Sequence, residues 1–206
     1  MSNLEAMFSK PDIRKASKDA GLSLRLQSKK RKMFNLSKSL NELSYILKDE
    51  LPAFDECYKL ISFDGGFSSI SLINYICDRE AVKELTASSL RVGEKQMDTM
   101  NTLHKNGKLD KASFIVGTIM KEDEKKLGKY NYYKKFKDVC EMNEWETFTI
   151  NNHSKILLLR TDENFYVIET SSNLNENPKI EQYSFENSEE LYNFYYDFFK
   201  VLKARC

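Results

Sequence analysis

Residues 151–173 read NNHSKILLLRTDENFYVIETSSN, and this stretch decides the fold. Two short apolar runs, Ser154–Arg160 and Phe165–Thr170, have strand length and strand composition. Thr161, Asp162, Glu163 and Asn164 between them are turn formers, so the two runs are predicted to close as a β-hairpin. His153 opens the first strand, and strand alternation sets it on the same face as Lys155. The second strand ends in Thr170, Ser171, Ser172 and Asn173, which bring hydroxyls and an amide toward that face.

Upstream, short β-like runs alternate with helical stretches. Strand Tyr58–Phe63 and helix Ser68–Arg79 are joined through Asp64, Gly65 and Gly66. Strand Glu84–Arg91, helix Gly93–Lys105, strand Ala112–Ile119, helix Glu122–Met142 and strand Glu146–Ile150 follow. This βαβαβα order predicts a mainly parallel sheet covered by helices. Downstream, a polar loop over Asn173–Pro178 leads to a short strand near Ile180–Phe185. Ser188, followed by Glu189 and Glu190, caps a last helix to about Ala204. Its rings, Tyr192, Phe194, Tyr195, Tyr196, Phe198 and Phe199, stand at helical spacing and are read as packing residues.

The first 52 residues read as a basic helical extension, and residues 53–206 as the α/β domain. Ser9 and Pro11 start a short helix that Gly21 stops. Met33, Leu36, Leu40, Leu43, Leu47 and Leu51 recur at threes and fours, which predicts an amphipathic helix over residues 31–51 ended by Pro52. Residues 1–32 hold nine Lys and Arg against three acids, while the remainder holds 23 against 28, beneath a formal charge of +1. The run Lys29, Lys30, Arg31, Lys32 can neutralise phosphates or acidic partners, or stand as an ordinary solvated surface.

Four scattered cysteines lack metal or redox spacing and read as reduced thiols, and no run spans a bilayer. A cytoplasmic location without membrane attachment is expected. Of the two histidines, His104 lies at the end of a polar helix beside a turn and reads as surface. His153 is the chemical candidate. A neutral imidazole can attack phosphorus or take a proton, and an ammonium beside it can hold phosphate oxygens. Glu181, one strand further, is placed to orient the ring.

His153 and Lys155, followed by Ser171 and Asn173, resemble the paired His-x-Lys and Gly-Ser-x-Asn motifs of the phospholipase D superfamily. The order of elements is similar as well, one repeat covering roughly residues 55–204. The resemblance implies a mixed α/β sheet flanked by helices. It implies His153 as nucleophile or acid/base, Lys155 and Asn173 as phosphate ligands, Ser171 as their support and Glu181 as the group that sets the tautomer. Members use two such histidines, so one motif implies a homodimer with the site at its twofold interface, without metal or cofactor. Small single-motif members are nucleases, which makes DNA or RNA the implied partner.

Two positions depart from the pattern. Arg160 stands where an Asp is usual, with Asp162 two further on, and Thr170 stands where a Gly is usual. These substitutions keep two alternatives open: a catalytically silent nucleic-acid-binding or regulatory protein that retains the phosphate pocket, and a structural or interaction subunit.

Overall fold

In a computed structural model, residues 26–27, 32–37, 47, 50–62, 67–122, 132–175 and 179–204 are described. The strands are β1 (Leu26–Gln27), β2 (Lys32–Ser37), β3 (Cys57–Ser62), β4 (Val82–Ser89), β5 (Leu109–Gly117), β6 (Glu146–Ile150), β7 (Ile156–Arg160), β8 (Phe165–Thr170) and β9 (Glu181–Asn187). The helices are α1 (Ser69–Cys77), α2 (Glu94–Lys105), α3 (Tyr132–Met142) and α4 (Glu189–Lys203). Among the described residues these nine strands form one sheet in the order β1-β2-β3-β9-β8-β7-β4-β5-β6.

The alternating half runs in one direction, as its rhythm predicts: β4 and β5 pair in parallel, and so do β5 and β6. The late strands change the topology. The β7–β8 hairpin and β9 insert between β3 and β4, each pairing antiparallel with its neighbours. The result is a mixed sheet, parallel at one side and antiparallel through its middle.

The helix expected over residues 31–51 is corrected at its start. Lys32–Ser37 is a strand, paired in parallel with β3 from Lys32 opposite Cys57 to Ser37 opposite Ser62. Phe34 and Leu36 fit a strand's period of two, and the edge of β3 offers backbone partners that override a weak helical preference. Leu47 is helical and fully buried. The expected helix near Ser9 and the residues Lys29, Lys30 and Arg31 lie outside the described residues.

Two apolar layers sandwich the sheet. On one face α1, α2 and α3 bury Ile73, Met100 and Phe136 against Leu85, Phe114, Leu159 and Phe185. On the other, α4 lays Tyr192 and Phe199 on Ile115, Leu158 and Val167. Each of these rings contributes about 2 kcal/mol by leaving water. Ser188 caps α4 as expected, its hydroxyl accepting from the Leu191 N–H at 3.3 Å. Tyr195 ties the helix to β8 by donating to Glu169 Oε1 at 2.5 Å. Phe194 and Phe198 face solvent.

Cys57, Cys77 and Cys140 are buried and free. Burial pushes the Cys77 and Cys140 thiols up to about 12. Among the described residues no helix is long and apolar enough to cross a membrane.

Candidate phosphate site at the carboxyl ends of the parallel strands

Strand β6 is the sheet's outer edge beside β5, yet β7 pairs with β4, so the chain must cross the carboxyl ends of β5 and β4 to join them. Residues 151–155 make that crossing, and Asn152, which is 8% exposed, pins it down. Its amide nitrogen donates to Ile115 O at 2.9 Å, Ser89 O at 3.2 Å and Ser88 Oγ at 3.0 Å. Its Oδ1 accepts from the Ser154 N–H at 2.9 Å and the Ser154 hydroxyl at 2.7 Å. One buried side chain thus fixes the residues on both sides of His153. Ligand sites of open α/β sheets occupy this end of the strands.

His153 itself is exposed, and Lys155 turns back toward it. The Lys155 ammonium lies 3.3 Å from His153 Nδ1 and donates to the His153 carbonyl at 2.9 Å. Strand β7 begins at Ile156, later than the expected start at Ser154, because the crossing occupies residues 151–155. The two side chains therefore meet through the reach of the lysine rather than through strand alternation, although the Thr170 N–H still donates to Lys155 O at 3.1 Å.

The second half of the motif lies one strand over. Ser171 donates its hydroxyl to Glu181 Oε2 in a short hydrogen bond and accepts from the Gln182 N–H at 3.1 Å. Glu181 is 6% exposed. Its carboxylate is engaged by Ser171, while the imidazole Nδ1 faces Lys155. Asn173 is half-buried, and its Oδ1 has no hydrogen-bond partner among the described residues. A buried amide oxygen without a donor costs about 1–3 kcal/mol, the kind of deficit found at binding sites. The adjoining Leu174 is anchored, its N–H donating to Ser89 Oγ at 2.9 Å, so both motif loops end on the same strand, β4.

Burial holds the Lys155 pKa below the usual lysine value, and the Glu181 carboxylate pulls it partly back. A desolvated ammonium beside an imidazole is poised for anionic oxygens, which would restore the charge's lost solvation. Replacing Glu181 by Gln removes the raising influence. Lys155 is then expected to titrate at lower pH than in the wild type when followed by side-chain NMR; an unchanged titration would contradict the coupling.

Of the two departures, Arg160 falls outside this geometry and Thr170 takes part in it. Arg160, at the far end of β7, pairs with Glu84 at 3.3 Å. Thr170 needs no glycine freedom: at the end of β8 it pairs with Tyr183 of β9, and the non-glycine residues with positive φ among those described are Asp55 and Glu144. Its hydroxyl accepts from the Ser172 N–H at 2.9 Å and so shapes the Ser171–Asn173 turn. The Asn152 anchor escapes sequence reading, where two successive asparagines suggest only a turn. Lys32 begins β2, and no group of three or more His, Cys, Asp or Glu suited to a metal occurs among the described residues.

No protein-family profile and no curated protein sequence matches the chain. Solved structures do. Polyphosphate kinase from Porphyromonas gingivalis, a phospholipase D superfamily member, superposes with a TM-score of 0.56 at 14% identity, over 72% of this chain and 26% of that one. The fold is that of the phospholipase D superfamily. Phosphatidylserine synthase from Haemophilus influenzae Rd KW20, another phospholipase D superfamily member, matches at 17% identity and a TM-score of 0.44, over 63% of this chain and 34% of that one. The archaeal chromatin protein TrmBL2, described with a novel mode of DNA binding, matches at 11% identity and a TM-score of 0.47, over 80% and 59%. The chain thus spans about a quarter of the polyphosphate kinase and about a third of the synthase. At these identities the phospholipase D likeness is one of fold.

Proposed function

We propose that the chain is a phospholipase D-like phosphodiesterase that acts on nucleic acid through a phosphohistidine at the interface of two copies. The observation that carries this reading is the exposed His153 imidazole with a partly desolvated Lys155 ammonium 3.3 Å from its Nδ1. Asn173 supports it with a buried amide at the same end of the sheet.

When phosphate binds, Lys155 transfers from the imidazole and the His153 carbonyl to the phosphate oxygens. With Nδ1 released, the ring proton exchanges through solvent from Nε2 to Nδ1, leaving Nε2 with its lone pair. A nitrogen–phosphorus bond forms as the ester phosphorus–oxygen bond breaks, and the leaving oxygen takes a proton from the second copy's imidazole. That imidazole then deprotonates water, which displaces His153 from phosphorus and regenerates the site. Metal is not needed for any of these steps.

Nucleic acid is favoured over lipid by the basic run Lys29–Lys32, a feature suited to phosphates flanking the scissile one. Replacing these four residues by Glu is expected to lower affinity for DNA or RNA. The slope of log affinity against log salt should become shallower by about 0.7–0.9 for each phosphate that the run no longer neutralises. Equal slopes would exclude the run from binding. The reading itself is tested by incubating the wild type with labelled single- and double-stranded DNA and RNA in the presence of EDTA. Cleavage of at least one substrate is expected, and bound but intact substrate in all four cases would overturn it.

A further inference from the structure

Helix α4 carries more apolar surface than the sheet takes up. Tyr192 and Phe199 press on the strands, while Leu191, Phe194, Phe198 and Val201 follow one another at intervals of three, four and three residues. That spacing draws a second stripe along the helix, of the kind by which two helices interlock. Leu191, at its start, is partly buried against the sheet. Phe194, Phe198 and Val201 are 65%, 55% and 53% exposed, so the rings of this helix do not all pack within the chain. The Phe194 ring stands edge-on to Tyr195 with centroids 5.1 Å apart, and the Phe198 ring lies 5.4 Å from that of Phe199. Each outer ring is backed by an inner one, and ordering it against a partner costs little further side-chain freedom.

The charges around the stripe define what can cover it. Glu189 and Glu190 stand exposed in the first turn of α4, and Lys200 stands exposed in its last turns, where Lys203 is held by Glu146 at 3.1 Å. A helix that lies on lipid carries cations along its polar face, whereas the exposed neighbours of this stripe include Glu190, Asn193 and Asp197. The fitting partner is therefore a helix with an apolar stripe of matching spacing, basic where α4 is acidic and acidic where α4 is basic. A second α4 running in the opposite direction meets all these conditions. With a twofold axis at the level of Tyr196, Phe194 meets the partner's Phe198, and Leu191 meets the partner's Val201. Glu190 then lies about 3 Å along the axis from the level of the partner's Lys200. Each helix amino end also stands beside the partner's carboxyl end, so the two macrodipoles attract.

We propose that α4 pairs antiparallel with α4 of a second copy through Phe194, Phe198 and Val201, an isologous contact sealed at each end by Glu190 and the partner's Lys200. This surface lies on a face of the sheet, whereas His153 stands at the strand ends, so the contact is separate from the phosphodiesterase interface and does not rest on it. Two rings and a valine from each copy make a smaller contact than the roughly 800 Å2 per partner of a stable interface. Association is accordingly reversible, with a dissociation constant in the micromolar range.

Sedimentation equilibrium of the full chain from about 1 to about 200 μM tests this. The weight-average mass is expected to rise toward twice its dilute value. Phe194→Glu combined with Phe198→Glu should hold the dilute mass throughout, raising the dissociation constant at least about a hundredfold, with the melting temperature and cleavage of the wild type. Glu190→Lys should weaken association about tenfold, since it places like charges at both symmetric ends. Adding Lys200→Glu should restore it to within about threefold of the wild type, because the exchanged charges meet again only across an antiparallel pair. His153→Ala should associate as the wild type does, which separates failure of this contact from failure of the phosphodiesterase reading. A wild-type mass that stays constant, undiminished association of the phenylalanine variant, or no restoration by the second charge change would overturn the proposal.

Discussion

Replacing His153 by alanine is expected to lower phosphodiester cleavage by at least about a thousandfold while leaving the fold and nucleic-acid affinity intact. The separation follows from where the ring stands. It is exposed, and its ring neighbour is the Lys155 ammonium, so its removal opens no cavity and strands no buried group. Surface changes of this kind alter stability by about 0.5 kcal/mol or less. Affinity survives because it comes from cations spread along the nucleic-acid backbone rather than from the imidazole. Parallel measurement of cleavage rate, melting temperature and binding by anisotropy checks all three. Cleavage persisting within about tenfold of the wild type would remove His153 from the chemistry.

The largest structural effect is expected at the neighbouring residue. Asn152→Ala removes five hydrogen bonds from a side chain that is 8% exposed. It leaves the Ile115 and Ser89 carbonyls and the Ser154 N–H short of a partner, at about 1–3 kcal/mol for each buried group that stays unsatisfied. Partial rescue by water brings the expected loss to about 3 kcal/mol. For a chain of this size that is a fall in melting temperature of about 6–12 °C. Cleavage should fall with it, because the crossing that presents His153 loses its anchor. Urea unfolding and the metal-free cleavage assay read the two effects. A variant as stable as the wild type would mean that the crossing is held by its strands alone.

What the sequence discloses and what it hides divide along physical lines. The β7–β8 hairpin is legible because Leu157–Leu159 and Val167–Ile168 are strand formers bracketed by the Thr161–Asn164 turn, all within local reach. Local order puts His153 and Lys155 just before that hairpin and Ser171 and Asn173 just after it, and of the five residues expected to form the site, Lys155 meets His153 and Ser171 meets Glu181. The insertion of the hairpin and β9 between β3 and β4 is not legible, since the order of strands depends on long-range pairing to which local periodicity is blind. Met33 and Leu36 misled because their three-residue spacing matches a helix, whereas the strand's period of two runs through Phe34 and Leu36 and its partner strand is distant in sequence. Asn152 hid its role because a buried amide cannot be told from a turn residue until the crossing it anchors is known.

The central claim is that two His153 side chains, one from each copy, complete a single phosphodiesterase site. It is tested most directly by co-expressing wild type and His153→Ala under different affinity tags and purifying the mixed dimer through both. The account predicts that this dimer, holding one imidazole nucleophile and no second acid, cleaves nucleic acid at under about a hundredth of the wild-type rate. A mixed dimer that retains about half the wild-type rate would mean that each copy carries a complete site of its own, and would contradict the account.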